Sequence, residues 1–435
     1  MIYIMYRDSE IPHYNPSPEE KKKAPQEKGR LSRLLGEMKT LSLTPEELEK
    51  MEERRRNSLA ELKTEFVGKE TEEVEAVVPL LEIQDRPEAL AEVKEILGGA
   101  DRLTSELFDL LLSGTETLEE KREVLQDLNE TFELRESKIE DSEIFDPSRS
   151  GANNSHHLYF KERGQEFIGI YKPRSGEANR PGCKGLIPGI EAGTYHGREW
   201  LAFMIDRALG SKFVLPTVLR RGHEGLGSVQ KWAPGARSLR EAARLPEKVE
   251  AKEEIDLLAE LKKLGVSEEE IVGLAAEHYV EAQADGKPAN VGVEEGKLKG
   301  FDNGGIFSRG FKYLERGEVR DFKGGLTYSE IIEAAKKISP EVQKKVLKDK
   351  YQNFIEAPQR QEILKKAFEL VLGAGAKEAW KIFINRVKEL AETGRLPAGY
   401  DAVDAYGKIS YGLGLERDGK AEMAEIKIEE EREAA

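Results

Sequence analysis

Apolar and polar positions alternate at different periods along the chain. From Leu31 to about Asp146 the apolar residues recur at helical spacing in a heavily charged background. "LTPEELEKM" carries Thr44 as N-cap, Pro45 at the first helical position and Glu47 to complete a capping box. "RPEALAEVKEILGG" predicts a helix that opens at Pro87 and stops at Gly98-Gly99, and "ELFDLLLSG" and "LEEKREVLQDLNETF" predict two more. After "DPSRSGANNS" the period shortens to two: "HHLYF" and "EFIGIYKP" flank the turn "KERGQ" as a hairpin. The Gly-rich loop "SGEANRPGCKGLIPGIEAGTYHG" leads to a helix, "REWLAFMIDRALG", opened by Glu199, with Leu201, Met204, Ile205 and Leu209 on one apolar face. "PTVLRRG" and "GSVQKWAP" read as two further strands.

From about Ser238 the helical period returns. "AKEEIDLLAELKKLG" and "SEEEIVGLAAEHY" are helices, the second with a Ser267–Glu270 capping box. "NVGV" and "KLKGFD" form a small hairpin. Helices follow from "TYSEIIEAAKKI" to "AWKIFINRVKELAETG", and a last hairpin is predicted to turn at Asp418-Gly419. The order predicts an α+β chain with a two-lobed fold, a small antiparallel sheet plus helix and then a helical lobe, preceded by a helical module. The predicted boundaries are a disordered tail over 1–30, the helical module over 31–148, the sheet lobe over 149–235, the helical lobe over 236–410, and a C-terminal hairpin and tail over 411–435.

Composition narrows the function. The chain has 435 residues, with 68 Lys and Arg against 83 Asp and Glu, a net charge of -15. That balance argues against general nucleic-acid binding, which needs a basic footprint. With Cys183 as the one cysteine, no internal disulfide and no Cys-based zinc site can form, and the six histidines show no H-E-x-x-H spacing. The opening "MIYIMYRDSE" lacks the basic region of a signal peptide, and no apolar run approaches the roughly 20 residues that span a bilayer. The expectation is a cytoplasmic protein with no integral membrane contact.

One stretch carries chemistry: "EAQADGKPANVGV", with Asp285 and Asn290 bracketing Lys287, followed by "GFDNGG" with Asp302. On its own it reads as a turn, since Asp, Gly, Lys, Pro and Asn are ordinary turn residues. Its company changes the reading. Phosphoryl transfer from ATP needs a lysine for the α and β phosphates and a glutamate to fix it. It also needs an aspartate at the attacking hydroxyl, and an asparagine and a second aspartate for the metal ions. Lys172 at the end of a strand, Glu199 on the next helix, Asp285, Asn290 and Asp302 supply these in order. Each alone has a plain structural reading: a surface lysine, a glutamate favoured by the helix dipole, a turn.

"FIGIYKP", "REWLAFMIDRALG", "VLPTVLRRG", "GSVQKWAP", "DGKPAN" and "FDNGGIF" together resemble the phosphatidylinositol 3-/4-kinase-like superfamily of atypical kinases. Type II phosphatidylinositol 4-kinases and their bacterial relatives are the nearest variants. The resemblance covers roughly residues 155–310. It implies ATP and Mg²⁺ as cofactors and adenine contacts from the backbone of Gln230, Lys231, Trp232 and Ala233. It implies that Lys172 binds phosphate and pairs with Glu199, that Asp285 orients or deprotonates the acceptor and that Lys287 neutralises the γ-phosphate. It implies, last, that Asn290 and Asp302 hold the metal.

The chain departs from the family at three places. Gly286 stands where lipid kinases carry Arg, "GCKG" stands where type II enzymes carry a cysteine cluster, and "SRGFKYLERGEVRDFKGG" mixes basic with acidic residues. These departures favour a protein or small polar hydroxyl acceptor over a phosphoinositide. A nucleotide-binding pseudokinase and an AMP transferase on the same fold stay open as alternatives. Cys183 reads as a spectator, Trp232 as packing near the adenine segment, and His156 and His157 as exposed in preference to forming part of a nucleotide roof.

Overall fold

The computed structural model describes residues 87–397, apart from 116, 145–154, 163–164, 178–189, 191–192, 234, 246–247, 249–254, 316–317, 325–326 and 328. At 87–92, 143–144, 162, 165, 309–315 and 318–324 it describes the backbone alone. The Thr44–Glu47 capping box, Cys183 and the hairpin at Asp418-Gly419 lie outside the described residues.

The first helix, α1 (Pro87–Gly114), does not stop at Gly98-Gly99. Each glycine costs about 1 kcal/mol in a helix interior. Leu103, Leu107, Phe108 and Leu111 are buried on one face just beyond, and a fully buried side chain of this size returns roughly 1.5–3 kcal/mol. Gly99 also has a packing reason: a Cβ there would sit 3.1 Å from the Leu370 methyls. In α2 (Leu118–Glu136) a full capping box forms, Glu120 N–H donating to Thr117 Oγ1 and Thr117 N–H to Glu120, each at 3.2 Å.

The charged stretch that follows is not helical throughout. Ile139–Ile144 is a strand, β1, paired antiparallel with β2 (His156–Glu162). "IEDSEI" carries the charges of a solvated helix, but it is an edge strand, and one exposed face suits those charges. The expected hairpin of β2 with β3 (Gln165–Pro173) forms, and the two further strands, β4 (Thr217–Gly222) and β5 (Gly225–Lys231), pair as another hairpin. The sheet runs β1-β2-β3-β5-β4, antiparallel throughout. Leu134, Leu158, Phe160, Tyr171, Val218 and Val229 form the core on one face.

Between β3 and β4 lies α3 (Tyr195–Ala208), buried on every side. Its apolar face is the expected one, with Leu201, Met204 and Ile205 fully buried. Its polar side chains are buried too, and each has partners. Asp206 accepts from the N–H of Phe213 at 2.9 Å and of Val214 at 3.2 Å, and Arg207 Nε lies 2.9 Å from Asp127 on α2.

The chain then turns mainly helical. It runs through β6 (Arg237–Ser238), α4 (Leu239–Ala242), α5 (Leu257–Lys263) and α6 (Glu268–Val280). Ser267 caps α6, but Glu270 does not close the capping box. Its carboxylate accepts from Leu298 N–H at 2.9 Å, in the predicted hairpin of β7 (Val291–Glu294) and β8 (Lys297–Gly300). A second hairpin, β9 (Arg309–Glu315) with β10 (Glu318–Gly324), forms over the segment of mixed basic and acidic residues. Four helices follow among the described residues: α7 (Glu330–Ala335), α8 (Pro340–Ile355), α9 (Pro358–Leu372) and α10 (Ala376–Thr393). The mixed helix and sheet class is as expected: a small antiparallel sheet, then a helical region.

Candidate active site

Lys172 sits near the end of β3, opposite Ser228 of β5. That register aims its side chain at α3. Its ammonium contacts a carboxylate oxygen of Glu199 and lies 2.8 Å from Asp302 Oδ1. Glu199 is 1% exposed and does not open the helix. The helix starts four residues earlier, behind Thr194 as N-cap, so Glu199 is fixed within a packed turn. Its second oxygen accepts from Asn303 N–H at 2.9 Å. One buried carboxylate thus holds both the lysine and the turn that carries Asp302.

That turn is strained and tightly clamped. Asp302 has φ +51°, in the left-handed region that Asp tolerates better than most residues. A Cβ on Gly304 would fall 2.3 Å from the Tyr195 ring, so only glycine fits there. Arg198, 1% exposed, donates to the carbonyls of Ile306 and Phe307. Tyr195, Arg198 and Glu199 together lock the first turn of α3 onto residues 302–307. The sequence pointed to Glu199 but not to the other two, because a tyrosine and an arginine in a helix start carry no motif.

The second group lies after α6. Asp285 N–H donates to Gln283 Oε1 at 3.0 Å. Asn290 Nδ2 donates to Asp285 O at 2.8 Å and to Asp285 Oδ2 at 2.9 Å, and Lys287 Nζ meets the same Oδ2 at 2.9 Å. Ala284 N–H donates to Gly305 O at 2.9 Å, and Phe301 N–H to Asn290 O at 2.7 Å. These backbone bonds tie the loop to the Asp302 turn, so the two groups of side chains share one locale.

Their charges interact accordingly. Burial works against Lys172, but Asp302 and Glu199 hold its ammonium above the ordinary range. Burial raises Glu199, with Lys172 opposing. Burial would raise Asp302 too, but Lys172 holds it below the usual carboxylate range. Burial raises Asp285, Lys287 opposes, and the Asp302 charge adds to the rise. Tyr195 is raised by burial and then by both aspartates.

The backbone of Gln230–Ala233 is partly committed to hydrogen bonds within the protein. Lys231 N–H donates to Pro216 O at 2.9 Å and Trp232 N–H to Ile168 O at 2.8 Å. Gln230 Nε2 donates to Thr217 Oγ1 at 3.2 Å. The Trp232 carbonyl and the Ala233 N–H have no hydrogen-bond partner among the described residues. The Trp232 ring stacks on Phe301 at 6.4 Å and meets the edge of His157 at 5.7 Å.

No protein-family model and no curated protein matches this chain. Among solved structures, the Golgi casein kinase with Mn/ADP bound is similar over 62% of this chain and 75% of that one, at 13% identity and a TM-score of 0.32. Another structure of the Golgi casein kinase is similar over 73% and 93%, at 12% identity and a TM-score of 0.32. At those values the likeness assigns no chemistry, which rests on the side chains.

A divalent metal can be tested against the donors. Asn290 spends its Nδ2 on Asp285 twice, which turns its carbonyl oxygen away from that aspartate. Asp302 has one oxygen on Lys172, and its side chain is 36% exposed. Hard oxygen donors of this kind fit Mg²⁺. Among the described residues no helix is long and apolar enough to cross a membrane. His156 differs from expectation: it is 3% exposed, enclosed by Tyr171, His223 and Glu224.

Proposed function

We propose that this chain is an ATP- and divalent-metal-dependent phosphotransferase with a hydroxyl acceptor. The observation that supports it most is the sharing of Lys172 between Glu199 and Asp302, tied through the backbone to the Asp285, Lys287 and Asn290 loop. Lys172 binds the α and β phosphates, and Glu199 keeps it aimed. The Trp232 carbonyl and Ala233 N–H meet adenine. Asn290 and Asp302 would hold Mg²⁺, which would supply neutralisation of the phosphate charge. The acceptor oxygen attacks the γ-phosphorus, the bond to the β,γ-bridging oxygen breaks and ADP leaves with the electron pair. Asp285 takes the acceptor proton, a role that a raised carboxylate serves well. Lys287 stands beside Asp285 to balance charge on the transferred group.

We favour a protein or small polar acceptor. The "FDNGG" turn supports a relation to the phosphatidylinositol 3-/4-kinase-like enzymes, but Gly286 and the mixed charges after Asp302 weigh against a lipid headgroup. The test is incubation with Mg²⁺ and ATP labelled at the γ or the α position. The expected outcome is γ label on protein, small molecule or water, abolished in Asp302→Ala. Label only from α-ATP would replace this reading with AMP transfer. Tight nucleotide binding without transfer would replace it with a pseudokinase.

A further inference from the structure

We propose that His156, His223 and Glu224 form a transition-metal site, suited to Zn²⁺, on the sheet face opposite Lys172. It does not rest on the phosphotransfer reading. His156 is the first residue of β2, and His223 and Glu224 make the turn between β4 and β5. Adjacent strand residues face opposite sides. Tyr171, which lies under both histidine rings at 6.0 and 5.4 Å, therefore puts this cluster across the sheet from Lys172.

The three donor groups converge on one point. One donor atom from each residue lies within 4.8 Å of the other two. His156 Nε2 is 2.9 Å and His223 Nε2 3.8 Å from Glu224 Oε1, and the rings meet edge to face at 4.5 Å. Zinc bonds of ~2.0–2.1 Å at tetrahedral angles put neighbouring donors about 3.3 Å apart, between those two distances. His156 Nε2, for all its approach to Glu224 Oε1, and His223 Nδ1 are both buried without an aligned hydrogen bond. Orphaned buried ring nitrogens are costly, roughly 1–3 kcal/mol each, and a cation would engage the His156 lone pair directly.

The surroundings hold the donors in place. Ser175 Oγ donates to Glu224 Oε2 at 3.3 Å, and Tyr171 OH donates to Gly225 O at 2.7 Å, fixing the turn. The Tyr171 ring fits because Gly222 and Gly227 carry no side chain, a Cβ there falling 2.6 and 2.4 Å from it. Outer contacts of this kind orient metal ligands. Two imidazoles, one carboxylate and an open position match zinc better than Mg²⁺ or Ca²⁺, which prefer all-oxygen sites.

The test uses the full chain without an affinity tag, stripped with chelator and dialysed, then titrated with Zn²⁺ by calorimetry and with Co²⁺ by visible absorption. We expect one equivalent of Zn²⁺, a rise in Tm on binding and the d–d bands of four-coordinate Co²⁺. Ser175→Ala is expected to weaken binding about tenfold. Glu224→Gln and His223→Ala, checked for folding by circular dichroism, are expected to lose the bands, while Asp302→Asn keeps them. Absence of zinc uptake by the unaltered chain would overturn the proposal. So would unaltered Co²⁺ spectra in both ligand variants, or loss of the bands in Asp302→Asn, which would place the ion at the other site.

Discussion

Replacing Lys172 by Met removes an ammonium and keeps the side-chain volume. Glu199, 1% exposed, is then left with only the Asn303 N–H at 2.9 Å. Removing one partner of a buried ion pair costs about 3–5 kcal/mol, because the remaining charge is stranded. Asp302 also loses Lys172, but its side chain is 36% exposed, so solvent screens it and it adds little. The stranded glutamate can escape by taking a proton, and this sets the sign with pH. Burial already raises Glu199 in the folded state, and losing Lys172 raises it further. A folded state that holds a proton the unfolded state has released loses stability as pH rises. The window opens near the unfolded glutamate pKa of roughly 4.3 and closes at the raised folded value, with a slope of about 1.4 kcal/mol per pH unit. Urea denaturation followed by tryptophan fluorescence at pH 5, 6, 7 and 8 measures it. Lys172→Met should show its full deficit at pH 8 and recover much of it by pH 5. Lys172→Met with Glu199→Gln should lie within about 1 kcal/mol of the unaltered chain at every pH. A deficit independent of pH, or a double variant no better than the single one, would refute the stranded-charge argument.

Asp285 is raised by burial with Lys287 opposing. Transfer that needs its carboxylate should therefore fall with pH through a value above the ordinary ~3.9 of aspartate. Lys287→Met should move that acid limb of kcat to higher pH, and a limb that stays in place in the pH profile would contradict the assignment. Gly304→Ala places a Cβ 2.3 Å from the Tyr195 ring and 3.2 Å from its carbonyl. Thermal melts should show a loss of about 1–3 kcal/mol, with nucleotide affinity falling as Asp302 shifts. Adding Tyr195→Ala should restore part of the affinity but not all, since the backbone carbonyl stays.

Local period was enough to predict the β2–β3 and β7–β8 hairpins, the apolar face of α3 and the compact Asp285–Asn290 loop. Their partners lie within a few residues, and short-range geometry alone decides them. The charged strand β1 was not legible, because "IEDSEI" becomes a strand only when the edge of β2 offers it a ladder. The polar side of α3 was also hidden. Periodicity marks Leu201 and Met204 as buried, but Arg198 and Glu199 are buried only because residues 302–307 arrive to accept and share their hydrogen bonds. Lys172 stands 27 residues from Glu199 and 130 from Asp302. The sequence places these residue types in the right order. Whether they meet depended on strand register and on glycine at position 304, and burying opposite charges together is favourable only once both partners are in contact. His156 went the same way: a polar residue at a strand end reads as exposed until Tyr171 and the β4–β5 turn close over it.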